Sequence, residues 1–253
     1  MNELEKPGIA AFDFDNTLIK NDFGEAVMNS LLLDGLTNLK VSFPGYFRDK
    51  KKAEEVWQKR KEERENLKNF VWEEYKYIIE TKGVENGYRW SSFIFTGWKE
   101  EEFRGYARTV WKEELKKNQA IDVSPYEEMQ DLARLLVQNQ WTVFIVTASP
   151  EAIIQEVSSE FSIPKENVIG MRLEIENGIS TPRIIEPYTY GAGKVKALQE
   201  RKGLQADLAF GDSENDFPLL KSAKRFGLLI DKGKKDLVEK CLEIHCLIQP
   251  MFK

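Results

Sequence analysis

Four short apolar runs, each with an acid or a hydroxyl at or near its end, restrict the fold more than any other feature of this chain. IAAFDF (9–14), WTVFIVT (141–147), DLAFGD (207–212) and FGLLID (226–231) have the length and near-continuous apolar character of strands buried on both faces of a parallel sheet. VIGM (168–171) is a weaker fifth. Helical patterns lie between them. Ser124, Pro125 and Glu127 predict a capped helix start ahead of Met129, Leu132 and Leu136, and Ser149-Pro150 repeats the cap-plus-proline pattern. Strands alternating with helices in this way imply an open, doubly wound parallel α/β sheet, in which ligands bind beyond the carboxyl ends of the strands.

The interval from 20 to 123 breaks that alternation and contains no buried strand pattern. RDKKKAEEVWQKRKEERENLKNFVWEEYKYIIE (48–80) suits one long helix, and in EEEFRGYARTVWKEEL (100–115) Phe103, Tyr106, Ala107, Val110 and Trp111 share one face. We therefore expect an α/β core made of 1–19 and 124–253, with 20–123 as an inserted helical cap domain. Trp57, Trp72, Tyr75, Trp90, Trp98 and Trp111 all fall in that insertion, where they are expected to pack its core. An aromatic cage for a quaternary ammonium is the other use of such a set. After the weaker strand, MRLEIENGISTPRII (171–185) places alternating residues around Asn177-Gly178, the pattern of a β-hairpin.

Composition excludes several function classes. With 42% hydrophobic residues among 253, there is enough apolar material for a packed core. A net charge of −5 argues against a nucleic-acid partner held by phosphate neutralisation. The N-terminal MNELEKPGIAAFDFD resembles neither a secretory signal nor a membrane span, so the expected location is cytoplasmic, away from the membrane. Cys241 and Cys246 are expected as buried thiols in a final helix, too far apart there for a relaxed disulfide. His245 is the single histidine, which leaves any catalysis to carboxylates, hydroxyls and lysine.

At the ends of the expected strands stand Asp13 and Asp15, then Thr147, Ala148 and Ser149, then Asp212, Ser213, Glu214, Asn215 and Asp216. Strand alternation would direct Asp13 and Asp15 into one small volume, which is costly for two like charges unless a cation compensates. Lys194 lies in the glycine-rich GAGKV, near a helix start. Hard oxygen ligands from Asp13, Asp15 and Asp212 match Mg²⁺. With phosphate charge offset by the metal and Lys194, one aspartate can attack phosphorus while another serves as acid and then base.

DFDNT, VTAS, GAGKV and GDSEND resemble, in order, the four motifs of the haloacid dehalogenase (HAD) superfamily of phosphohydrolases. The resemblance implies a Rossmann-like core and an aspartyl-phosphate chemistry in which Asp13 is the nucleophile. Asp15 would protonate the leaving oxygen and then activate water, Thr147 would bind the phosphoryl group, and Lys194 would stabilise its charge. Asp212 would hold Mg²⁺ with Asp13 and the backbone carbonyl of Asp15, with Asp216 as a further ligand or as support behind the ligands. Ala148, Ser149 and Asn215 are read as substrate-binding.

The inserted helical segment and the hairpin resemble the phosphoserine phosphatase-like branch, subfamily IB. By that likeness Asp22 would contact a substrate amine, and Arg48, Arg60 and Arg64 are candidates for a substrate clamp. The expected protein is a Mg²⁺-dependent phosphomonoesterase for a small phosphorylated metabolite such as phosphoserine, phosphoethanolamine or phosphocholine, in a site closed by the cap. The alternatives are a phosphotransferase, or a non-catalytic binding or regulatory protein on the same fold.

Overall fold

The computed structural model describes residues 6–116 and 123–252. The start of the N-terminal stretch read above, and 117–122 at the end of the expected insertion, lie outside the described residues. The strands are β1 (Ile9–Phe12), β2 (Ile19–Lys20), β3 (Ser124–Pro125), β4 (Thr142–Pro150), β5 (Val168–Glu176), β6 (Ile179–Ile185), β7 (Leu208–Gly211), β8 (Phe226–Asp231) and β9 (Leu247–Pro250). Seven form one sheet in the order β6-β5-β4-β1-β7-β8-β9, and β2 pairs antiparallel with β3 in a separate ribbon. The pairs β5–β4, β4–β1, β1–β7, β7–β8 and β8–β9 are parallel. The expected doubly wound sheet is thus present.

Alternation along the strands explains why both faces are covered. Ala11, Phe144, Val146, Ala209 and Leu229 join one buried cluster with Ala197 and Leu198 of helix Ala192–Lys202, Leu219 and Leu220 of helix Phe217–Ser222, and Leu237 and Cys241 of helix Lys235–Glu243. The opposite parity, Ala10, Phe12, Val143, Ile145, Leu208, Phe210 and Ile230, is buried as well. Phe12 and Phe210 stack there with ring centroids 4.1 Å apart. Two apolar faces are what make these runs read as nearly continuous.

The chain divides into two compact units, one of 1–23, 111–172 and 186–253, the other of 24–110 and 173–185. The second unit is helical apart from the distal half of the β5–β6 hairpin, whose turn residues Asn177 and Gly178 have φ of 51° and 78°. Two such left-handed residues suit the tight turn expected there. Its core is aromatic. Phe47 packs on Phe43 at 4.5 Å, Phe70 at 4.8 Å and Trp90 at 5.5 Å, while Trp57 stacks on Phe43 at 4.8 Å. Trp98 lies against Phe103 and Tyr106, and Trp72 meets Tyr75 edge-on. These pairings account for Trp57, Trp72, Tyr75, Trp90 and Trp98 as packing; Trp111 belongs to the first unit, where it meets Phe23 edge-on at 5.0 Å.

Several local expectations are corrected. Residues 48–80 form two helices, Lys50–Lys59 and Arg64–Lys82, because Glu62 and Glu63 both fold back onto the Lys59 carbonyl and Arg60 Nη1 bonds the Trp57 carbonyl at 2.8 Å. Ser124-Pro125 is no capping box. It is strand β3, paired with Lys20 and Ile19, and the helix begins at Glu127 without a side-chain cap. The final helix stops at Glu243, so Cys246 lies beyond it, before β9; both thiols are free and buried, and burial pushes the Cys241 thiol up to about 12. His245 is exposed in the turn between that helix and β9.

Candidate active site

Asp13 is the first residue past β1, and its amide still follows the ladder by donating to the Phe210 carbonyl at 2.9 Å. Its carboxylate is buried and doubly held: Lys194 Nζ donates to Oδ1 at 2.5 Å, and Thr17 Oγ1 donates to Oδ2 at 3.1 Å. The turn that brings Thr17 back uses Asn16 at φ 60°, a conformation that asparagine tolerates better than most residues.

Asp15 corrects the alternation argument. β1 has already ended at Phe12, and Asp15 Oδ1 accepts from the Phe23 amide at 2.7 Å while Oδ2 accepts from Ser149 Oγ at 2.6 Å. Among the described residues, the carboxylates gathered tightly enough to share a metal are Asp13, Asp212 and Asp216, with oxygens within 4.8 Å of one another. The Asp15 side chain is not among them, so only its backbone carbonyl is left for the metal role expected of it.

The other elements supply their groups from strand ends and tight turns. The β4–β5 register shifts between Val146 and Pro150, and this irregular segment carries Thr147, Ala148 and Ser149. Thr147 is buried and its Oγ1 accepts from the Ser149 amide at 3.1 Å. Ser149 is not a helix cap, since β4 continues through Pro150 and the next helix starts at Glu151 uncapped. Lys194 enters through Tyr190–Gly193, where a Cβ on Gly193 would lie 1.8 Å from the Tyr188 carbonyl oxygen. Gly191 donates its amide to Asn215 Oδ1, which ties this turn to the loop after β7 and gives Asn215 a structural bond beside the substrate-binding part expected of it.

Asp216 is fully buried, and donors surround it. Lys194 Nζ bonds Oδ1 at 2.5 Å; the amides of Asp212 (3.2 Å) and Ser213 (3.1 Å) and the Ser213 hydroxyl (2.6 Å) bond Oδ2. That pattern favours support of the loop and the lysine over direct metal ligation. A Cβ on Gly211 would meet Asp216 Cβ at 2.3 Å, so the close approach requires glycine.

The electrostatics follow from burial. Asp13 titrates well above the usual carboxylate range, chiefly through burial and then the Asp216 charge, with Lys194 opposing. Asp15 is also raised, by burial first and Asp22 second. Burial, followed by Asp216, lifts Asp212 to about 6. Burial alone would lower Lys194, but Asp13 and Asp216 outweigh it and its pKa is raised. Three buried carboxylates against one fully buried ammonium leave excess negative charge among hard oxygen donors, and a Mg²⁺-like divalent cation fits that set.

Two contributors escaped sequence reasoning. From sequence, Thr17 reads as a turn and support residue where the chain leaves the first strand, without its bond to Asp13. Lys232, whose Nζ lies 3.2 Å from Asp212 Oδ2, follows directly on Asp231 at the end of β8 and belongs to no motif.

The Asp212 carboxyl implies a pH dependence. Its folded pKa of about 6 exceeds the 3.8 of the unfolded chain, so the folded state binds this proton more tightly and the contribution is complete below pH 3.8. It is lost as pH rises toward 6. Without divalent metal, urea denaturation of the wild type should lose roughly 2 kcal/mol from this group between pH 4 and 7. Asp212→Asn should remove that part of the slope; an unchanged profile would contradict it.

The arginines considered as clamps are all engaged within the second unit. Arg48 Nε bonds Glu74 at 3.0 Å with its guanidinium 3.3 Å from the Tyr77 ring centroid, Arg60 sits 3.9 Å over Trp57, and Arg64 Nε bonds the Lys61 carbonyl at 3.3 Å. Among the described residues no helix is long and apolar enough to cross a membrane.

A profile of the haloacid dehalogenase-like hydrolase family matches residues 10–221. A search of curated proteins returns no match. Among solved structures, a conserved, functionally unknown protein from Anaerococcus prevotii is similar with TM-score 0.73 at 19% identity, covering 97% of this chain and 86% of its own. A phosphoserine phosphohydrolase-like protein from Francisella tularensis matches with TM-score 0.53 at 16% identity over 96% of this chain and 95% of its own. A substrate-bound phosphoserine phosphatase complex matches with TM-score 0.53 at 15% identity, over 97% and 94%.

Proposed function

We propose, from the premise that this chain belongs to the haloacid dehalogenase-like hydrolase family, that it is a Mg²⁺-dependent phosphomonoesterase working through an aspartyl-phosphate. The observation that carries the reading is the Asp13 carboxylate, buried yet held at both oxygens by Lys194 and Thr17. Held in this way, a carboxylate is oriented before substrate arrives, which removes much of the entropic cost of attack. Asp13 attacks phosphorus, the ester bond breaks toward the leaving oxygen, and Asp15 supplies the proton. The high Asp15 pKa suits that acid role. Asp15, then ionised, takes a proton from the water that hydrolyses the acyl-phosphate and frees Asp13.

Thr147 and Lys194 bind the transferring phosphoryl group. Asp13, Asp212 and the Asp15 backbone carbonyl would hold Mg²⁺, with Asp216 behind them, and the bound ion supplies positive charge against the repulsion between carboxylate and phosphate. Residues 20–123 act as the specificity-setting insertion. Two free, buried cysteines accord with a cytoplasmic setting.

The substrate is a small phosphate ester, and Asp22 favours one bearing an amine. Asp22 ranks second only to burial among the influences that raise Asp15, so its charge acts close to the acid. A panel of phosphoserine, phosphoethanolamine, phosphocholine and sugar phosphates tests this reading. Asp22→Ala should lower kcat/KM for the amine-bearing esters by roughly tenfold or more, the scale of one charge-assisted contact, with much less effect on sugar phosphates. Equal losses across the panel would remove Asp22 from substrate choice.

A further inference from the structure

We propose that Ser149 is a positioning residue that, together with the Phe23 amide, fixes the orientation of the Asp15 carboxyl for its acid and base steps; the idea rests on the phosphatase reading above. The two oxygens of Asp15 have partners of different kinds. Oδ1 accepts from the Phe23 amide at 2.7 Å, and a backbone N–H can only donate, so Oδ1 stays an acceptor in both protonation states. Oδ2 pairs with a group of another kind, Ser149 Oγ at 2.6 Å. A hydroxyl can accept from a carboxylic acid and donate to a carboxylate by rotating, so one partner serves before and after proton transfer.

The serine is itself anchored. Its amide donates to Thr147 Oγ1 at 3.1 Å, and it stands on the irregular segment of β4 just before Pro150. The group proposed to bind the phosphoryl and the group that orients the acid are thus two residues apart on one constrained stretch. In the step itself the ester phosphorus–oxygen bond breaks, its electron pair goes to the leaving oxygen, and the proton of the Asp15 carboxyl goes to the same atom. Ser149 keeps its own proton and holds the carboxylate left behind through a hydrogen bond from its hydroxyl to Oδ2.

The test uses leaving groups that need the proton to different degrees, with Ser149→Ala and Ser149→Thr. An alkyl phosphate expels an alkoxide and depends on the acid, whereas para-nitrophenyl phosphate expels a stable phenolate. Ser149→Ala should lower kcat/KM for the alkyl ester by about tenfold or more, part of the full general-acid contribution, and for the aryl ester by less than about threefold. Ser149→Thr, which keeps the hydroxyl, should recover most of the alkyl rate, with all three proteins melting alike. Equal losses on both esters, or no recovery with threonine, would overturn the positioning role while leaving the phosphatase reading intact. If the wild type hydrolyses neither ester at any divalent metal concentration, the phosphatase reading fails and the role of Ser149 falls with it.

Discussion

Asp13→Asn is expected to lower phosphate release from para-nitrophenyl phosphate by roughly 10⁴-fold or more, the scale seen when a covalent nucleophile is removed. The substitution changes one oxygen for an NH₂ group and preserves shape. Thr17 and Lys194 retain an acceptor between them, and Lys194 keeps its bond to Asp216. Stability should move the other way from activity. Because burial and Asp216 hold Asp13 well above the ordinary carboxylate range, its ionised form is costly at neutral pH, and a neutral amide removes that cost. Inactivity together with an unchanged or raised melting temperature in metal-free buffer is the expected pair of results. Inactivity with unfolding would indicate only a structural role, and retained activity would remove Asp13 as the nucleophile.

The second large effect is on stability. Lys194→Met is expected to destabilise the metal-free protein by about 3–5 kcal/mol, the usual cost of leaving buried charges without their partner. Lys194 is the only ammonium with no exposure among the described residues, and it lies 2.5 Å from both Asp13 and Asp216. Methionine fills much of the space, so the loss should be mainly electrostatic. Lys194 opposes the upward shift of the Asp13 carboxyl, so removing the cation raises that carboxyl's affinity for protons, and lower pH then relieves the repulsion. Urea denaturation should therefore show a larger deficit at pH 8 than at pH 5. A deficit independent of pH would assign it to packing.

Much of the core was legible because its chemistry sits where periodicity is strongest. Asp13, Thr147, Asp212 and Asp216 follow apolar runs buried on both faces, and such runs are hard to place anywhere but in the middle of a parallel sheet. Lys194 was found from its glycine-rich turn, where Gly193 is needed for contact with Tyr188. What failed was local. Asp15 was assigned by strand alternation, although the strand had stopped three residues earlier and hydrogen bonds to Phe23 and Ser149 decide its direction.

Ser124-Pro125 carries the residue types of a helix cap, but pairing with Ile19 and Lys20 overrides that preference. β9 was missed because it is an exposed edge: Leu247 is 51% exposed, and four residues ending in proline give no alternation to read. Lys232 was missed because a lysine after a strand looks solvated until Asp212 is found beside it.

The most direct measurement of the central claim is capture of the covalent intermediate. Wild-type protein with Mg²⁺ and a turned-over phosphate ester, quenched in acid within one turnover and digested, should yield a peptide bearing one phosphoryl group on Asp13. The label should disappear on addition of hydroxylamine, as an acyl-phosphate does, and should be absent from Asp13→Asn. Turnover with no phosphorylated peptide, or with the phosphoryl group on another residue, would contradict the account.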